Sequence, residues 1–229
     1  MHDTNALDLI LSGDAYLFAI VALSLEVSLA ATALAAVIGL PLGAFVGITR
    51  FPGRDAVTVI LNGMMGLPPV VVGLTVYLLL SRSGPLGSLG LLFTPAAMIF
   101  AQAILILPII AALARQVIES LWEEYREELA AMGVKPASRV AALLFDARFA
   151  LVTVLLAGFG RAAAEVGTVM IVGGNIDGYT RVMTTAIALE TSKGNLPLAA
   201  GLGLVLIALI VAVNSAAWGL RRWSERRVG

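Results

Sequence analysis

The chain has no cysteine, so neither disulfides nor thiolate chemistry are available to it. Its single histidine, His2, stands at the extreme N-terminus, where it reads as a surface residue rather than a ligand. Charge is scarce at 13% of residues, and aromatics make up 7%. No GxxxxGK[ST] phosphate loop is present, so the chain is not itself an ATPase. No cluster of metal ligands and no nucleophile–base set appears, and neither a catalytic residue nor a resident cofactor is expected. The opening MHDTNALDLILSGD has no basic residue before the first apolar run and so lacks the positive n-region of a secretory signal. Span lengths do not repeat, which argues against the mirrored halves of an inverted-repeat carrier. No low-complexity tract or long linker divides the chain, and one domain over 1–229 is expected.

What remains is apolar. Hydrophobic residues make up 59% of the chain, and the mean hydropathy is +0.96. Soluble domains hold about 45–50% apolar and about 25% charged residues. The charge-free runs Val27–Thr49, Ala56–Ser81, Ser83–Ala114 and Gly194–Leu220 each exceed the roughly 20 residues needed to cross a bilayer. Phe149–Ile176 is equally apolar apart from Arg161 and Glu165. Hydropathy therefore predicts an all-α, multi-pass membrane protein with about five spans, near 16–49, 56–81, 92–115, 149–173 and 197–220. The first is long enough to require tilt or a bend at Gly39-Leu40-Pro41.

Basic residues give the orientation. Arg50, Arg54, Arg115, Arg126, Lys135, Arg139, Arg148, Arg221, Arg222, Arg226 and Arg227 fall on one side, and only Arg82, Arg181 and Lys193 on the other. This predicts an external N-terminus, a cytoplasmic segment 116–148, an external segment 174–196 and a cytoplasmic C-terminus.

The cytoplasmic segment carries the sharpest pattern. In ESLWEEYREELAAMGVKPASRVAALLFD (Glu119–Asp146), Leu121, Tyr125, Leu129 and Met132 share one helical face, opposite Glu123, Glu124, Glu127 and Glu128. Gly133 suits the left-handed position that ends a helix, and Pro136 the first turn of the next. Two short helices meeting at a sharp bend are expected. Their acidic face is either merely solvated or a docking surface for a cytosolic protein; anionic inner-leaflet lipids favour Lys and Arg instead.

EELAAMG (Glu127–Gly133) resembles the EAA loop of ABC importer permeases. Glu127 and Gly133 hold the ends at the family's spacing, while Glu128 and Leu129 replace its two alanines and Phe145-Asp146 its later Leu-Pro. LPPVVVG (Leu67–Gly73) and SGPLG (Ser83–Gly87) resemble signatures of the molybdate, tungstate and sulfate branch. GRAAAEVG (Gly160–Gly167) and GNIDGYT (Gly174–Thr180) do likewise. With TRVMTTAIALETSKGN (Thr180–Asn195), the likeness leans toward tungstate permeases.

The resemblance implies a MetI-like, type I importer domain and a homodimer in the cell (inner) membrane. Two cytosolic ABC ATPase subunits would bind the ATP, and an external oxyanion-binding protein would deliver the substrate. It assigns Glu127, Ala130 and Gly133 to ATPase contact. Membrane lipid is the remaining partner, and nucleic acid is not one. A gradient-driven secondary oxyanion carrier working without an ATPase is the alternative; it would need intramembrane acids, and only Glu26 and Glu165 are available.

Four features within or beside the spans complete the expectations. Pro68 and Pro69 force a span to bend or open, as a packing kink or as a gate segment. Gly39, Gly43 and Gly47 form a small-xxx-small packing stripe. Arg161 and Glu165, four apart, are expected to pair on one helix face, with Glu26 a second candidate partner for Arg161. That pair either fixes helix register or sets the potential along an anion route. In the external segment, the turn residues around Asn175 precede a helical stretch from Met183 to Ser192. Thr180, Thr184 and Thr185 offer hydroxyls there for an outer gate or for binding-protein contact.

Overall fold

The computed structural model describes residues 15–133 and 135–228, the side chains of 130, 136, 137, 220, 221 and 223–228 excepted. His2 and the acidic N-terminal segment lie outside the described residues. Nine α-helices and no strand occur among the described residues. They are α1 (Ala15–Ile48), α2 (Arg54–Met64), α3 (Pro69–Leu80), α4 (Pro95–Ala131), α5 (Pro136–Asp146), α6 (Arg148–Ala163), α7 (Gly167–Gly173), α8 (Met183–Ser192) and α9 (Leu196–Val228). A short 3-10 turn, Gly87–Leu89, lies between α3 and α4.

Three helices are long and apolar enough to cross a bilayer unaided, namely α1, α4 and α9. The expected second and fourth spans are instead broken. Helix stops after Met64 and restarts at Pro69, because Pro68 and Pro69 withhold two backbone donors. It also stops after Ala163 and restarts at Gly167. Pro41, by contrast, sits inside a continuous α1. The first helix of the cytoplasmic segment is no separate element either, since α4 runs unbroken from Pro95 to Ala131.

The chain divides into two compact units. One comprises 31–67 and 103–162. Here α1 meets α4 along the glycine stripe. A Cβ on Gly43 would stand 2.4 Å from the Ala111 carbonyl oxygen and 2.9 Å from the Arg115 amide nitrogen. Gly47 faces the Arg115 carbonyl in the same way, while Gly39 meets the Ile110 side chain and the Leu107 carbonyl, so the stripe lets the two helices approach closely. The face of α4 receiving it, Ile106, Ile110, Ala111, Ala114 and Ile118, is fully buried. Leu61 of α2 joins Ala111 and Ala112 in a small core with Leu42, Val57 and Met65. Helices α5 and α6 are set at 79° to each other.

The other unit comprises residues to 30, then 68–102 and 163–229. Its two packed pairs are α3 with α7 and α8 with α9. Leu17 and Ile20 of α1 close a core with Met183, Ala186 and Leu202. The Ser24 hydroxyl accepts the Met183 amide at 2.8 Å, fixing the start of α8. The helical stretch expected from Met183 to Ser192 is α8 itself.

Candidate gate and coupling sites

The broken helices carry the gate candidates. Pro68 is the N-cap of α3 and Pro69 its first residue, where a proline costs no helical hydrogen bond. On α7, the Thr168 hydroxyl donates to the Pro69 carbonyl oxygen at 2.7 Å. A Cβ on Gly73 would lie 3.0 Å from Thr168 Cα, and one on Gly167 would lie 3.1 Å from Val70 Cγ2. The start of α7 is therefore pinned against the first turns of α3, and glycine is what allows that approach.

Glu165 is buried, at 3% exposure, in the gap between α6 and α7. One carboxyl oxygen accepts the Thr168 amide at 2.9 Å, which satisfies a donor that the start of α7 leaves orphaned. Its backbone carbonyl accepts the Thr184 hydroxyl at 2.7 Å. The single helix expected to carry both Arg161 and Glu165 is interrupted here. The helix ends at Ala163, so Arg161 and Glu165 share no face. Arg161 lies half-buried in the last turn of α6, and Glu165 precedes the first turn of α7. Each sign suits the helix end it occupies. Glu26 is exposed on α1.

The threonines of segment 174–196 turn inward. Thr180 and Thr185 are fully buried and Thr184 is 8% exposed. Thr180 donates to the Gly173 carbonyl at 2.6 Å and accepts the Ile176 amide at 2.9 Å. Thr185 bonds both the amide and the carbonyl of Val182. The Thr180 and Thr185 hydroxyls serve the loop's own backbone, and that of Thr184 serves the Glu165 carbonyl. Asn175 takes a left-handed φ of 50°. Its side-chain oxygen is enclosed without a partner among the described residues. Beside it, Tyr16 donates to Asp177 at 2.7 Å and accepts from Arg181 at 2.6 Å, clasping the loop to the start of α1.

The coupling candidates sit at the far end of α4. Gly133 has φ +63°, the left-handed turn its position requires, and no atom of the described residues lies within 4 Å of where its Cβ would be. Pro136 opens α5 behind the cap residue Lys135. Glu123, Glu124, Glu127 and Glu128 are all exposed, Glu127 by 89% of its side chain. The side chain of Ala130 lies outside the described residues. A groove of about 370 Å3 runs between α4 and α5, with Leu129, Met132, Leu143 and Phe145 as its apolar lining and Glu128 and Asp146 beside them. Met132 is 67% and Phe145 70% exposed, a large apolar area to leave in water.

These residues belong to a chain with clear relatives. The family model described as "Binding-protein-dependent transport system inner membrane component" matches residues 39–229. The chain is 46% identical over 205 residues to a probable anion ABC transporter permease of Haloferax volcanii, covering 87% of this chain and 88% of the relative. It is 40% identical over 216 residues to the tungstate uptake system permease TupB of Peptoclostridium acidaminophilum, covering 94% and 95%. The molybdenum transport permease ModB of Azotobacter vinelandii is 26% identical over 211 residues, covering 86% and 93%. The chain belongs to this permease family.

As a permease it is the membrane component of an ABC transporter and not an enzyme. Sequence reasoning missed three parts of it. The first is Thr168, whose partner Pro69 is remote along the chain. The second is the exposed ring of Phe145, a residue named from sequence only as a departure from the family's Leu-Pro. The third joins α1, α2 and α4: Arg54 and Arg115 share the two oxygens of Glu119. Arg54 also donates to the Val46 carbonyl at 2.9 Å and the Gly47 carbonyl at 3.3 Å, capping the end of α1. The Arg115–Glu119 spacing was visible as an i,i+4 pair, whereas Arg54 carried no local signal.

Proposed function

We propose that this permease domain carries tungstate inward across the cell membrane, with molybdate the next candidate, as a homodimer driven by two cytosolic ATPase subunits. An external oxyanion-binding protein supplies the anion. ATP is bound by the ATPase, and the permease holds no cofactor. The N-terminus faces outside and the C-terminus the cytoplasm, following the excess of arginine and lysine on the α4–α5 side. Two relatives at 40% identity over most of the chain are tungstate uptake permeases, which supports tungstate as the substrate.

The observation that carries the mechanism is the bend at Gly133, which presents an exposed acidic and apolar surface at the tip of a helix that also crosses the membrane. A push on that surface is delivered along α4, which is one helix from Pro95 to Ala131 with Pro108 inside it. Glu127, Ala130 and Gly133 take the ATPase contact, supported by Met132 and Phe145. Pro68 and Pro69 start the gate helix α3, and Thr168 and Glu165 fix α7 against it. Arg161 provides positive potential along the route. Weak binding there suits conduction, since a dianion held tightly would not leave.

Competition of uptake tests the substrate. In proteoliposomes holding the complete transporter, tungstate uptake is expected to resist excess sulfate and to be displaced more weakly by molybdate than by unlabelled tungstate. Equal displacement by sulfate would remove the oxyanion preference proposed.

A further inference from the structure

The loop that follows α3 folds back on the end of that helix. A Cβ on Gly84 would come 2.1 Å from the Leu78 carbonyl oxygen, and one on Gly87 2.2 Å from that of Ser81. Only glycine permits so tight a return, and the return places Ser81-Arg82-Ser83 beside Tyr77 and Phe93. Between them lies a cavity of about 630 Å3. Arg82 is the charged group of its lining, which holds no acidic residue among the described residues.

Three features separate this cavity from an ordinary solvated surface. First, Arg82 forms no ion pair among the described residues, whereas Arg54, Arg115 and Arg181 are each matched to a carboxylate. Second, the partial negative charge at the end of α3 is already engaged. The Tyr77 carbonyl accepts the Ser81 amide at 2.8 Å, the Leu78 carbonyl accepts the Ser81 hydroxyl at 3.0 Å, and the Leu79 carbonyl accepts the Leu86 amide at 2.9 Å. Because Ser81 gives its proton to Leu78, Ser83, 3.4 Å away, is the hydroxyl with a proton to offer.

Third, Phe93 sits at φ +63°, an outlier for a bulky residue. Its amide donates to the Val172 carbonyl at 2.9 Å, and its ring meets the edge of Tyr77 at 6.2 Å. A Cβ on Gly174 would touch that ring at 2.9 Å. Backbone strain held in place by several surrounding contacts marks functional positions.

We propose that this cavity is an external subsite for a tetrahedral oxyanion, in which Arg82 and Ser83 bind the anion after its delivery and before it enters the route between spans. The assignment rests on the oxyanion-importer reading and on its external placement of Arg82. A cavity this roomy takes the dianion with part of its water shell, and one guanidinium binds it weakly enough to release it. The same chemistry fits the phosphate of a lipid headgroup, so lipid composition must be an arm of the test.

The permease–ATPase complex, without binding protein, is placed in nanodiscs of phosphatidylcholine alone and its tungstate binding read by equilibrium dialysis. Saturable binding is expected in the wild type, weakened about tenfold by Arg82→Gln, the scale of one lost charge-assisted hydrogen bond. Arg82→Lys should retain most of it, and Ser83→Ala should show an intermediate loss. Identical isotherms for the wild type and Arg82→Gln, or no saturable binding in the wild type, would overturn the subsite. So would suppression of tungstate binding by phosphatidylglycerol at the few molecules per disc that mark a lipid site. Failure of the importer reading would show separately, as absent ATP-driven uptake by the unaltered transporter.

Discussion

Replacing Glu165 by alanine removes the acceptor that holds the Thr168 amide and leaves that donor buried. The expected cost is about 1–3 kcal/mol. Glutamine keeps an acceptor in the same place, so Glu165→Gln should melt near the wild type while Glu165→Ala melts clearly lower in detergent. Equal melting of the two variants would mean that Glu165 does not act through this cap. Gly43 makes a second residue-scale case. Gly43→Ala drives a methyl into the Ala111 carbonyl and should cost about 1–3 kcal/mol through overpacking. Gly63→Ala is the matched control, because its Cβ meets nothing within 4 Å and α2 gains a better helix former. A thermal-shift comparison showing both neutral would contradict the close approach of α1 to α4.

At the scale of elements, the bend at Gly133 and the α3–α7 pair are the parts expected to move. Since nothing among the described residues lies near the Cβ position of Gly133, a substitution there strains mainly the backbone, by about 1–2 kcal/mol. Any larger effect comes from the partner that the bend meets. Gly133→Asp should therefore leave the permease folded while ATP hydrolysis runs without uptake, and Gly133→Asn, which tolerates the left-handed turn, should be milder. Wild-type coupling in the aspartate variant with the complex assembled would count against the docking role. For α3 and α7, Thr168→Val removes the hydroxyl bonded to Pro69 at nearly constant volume. Faster hydrogen exchange in α7 and less tungstate moved per ATP are expected. Unchanged exchange would show that the two helices are held together by packing alone.

What the sequence disclosed follows from how local each signal is. Hydropathy located the apolar segments, glycine and proline located the turn at Gly133–Pro136, and the boundaries of α8 were legible in its residues. The helix breaks were half legible. Prolines announced the one before α3, but the break at Glu165 is made by a side chain and by Thr184, two elements further along. Run lengths alone therefore gave a continuous fourth span where the helix in fact stops after Ala163. The burial of the three threonines was not legible for the same reason, since it is set by partners such as Gly173 and Val182 rather than by residue type. Arg54's grip on Glu119 and on the end of α1 joins positions far apart in sequence, which no periodicity reports.

For the molecule as a whole, the scarcity of charge, the one-sided distribution of arginine and the membership of a binding-protein-dependent permease family describe a component that must be driven from outside itself. The most direct measurement is tungstate uptake into proteoliposomes holding this chain with its ATPase and binding protein, with ATP present or withheld and with the ATPase included or left out. Uptake should require both ATP and the ATPase. Uptake that persists without the ATPase would contradict an ATP-driven importer and favour a carrier running on an ion gradient.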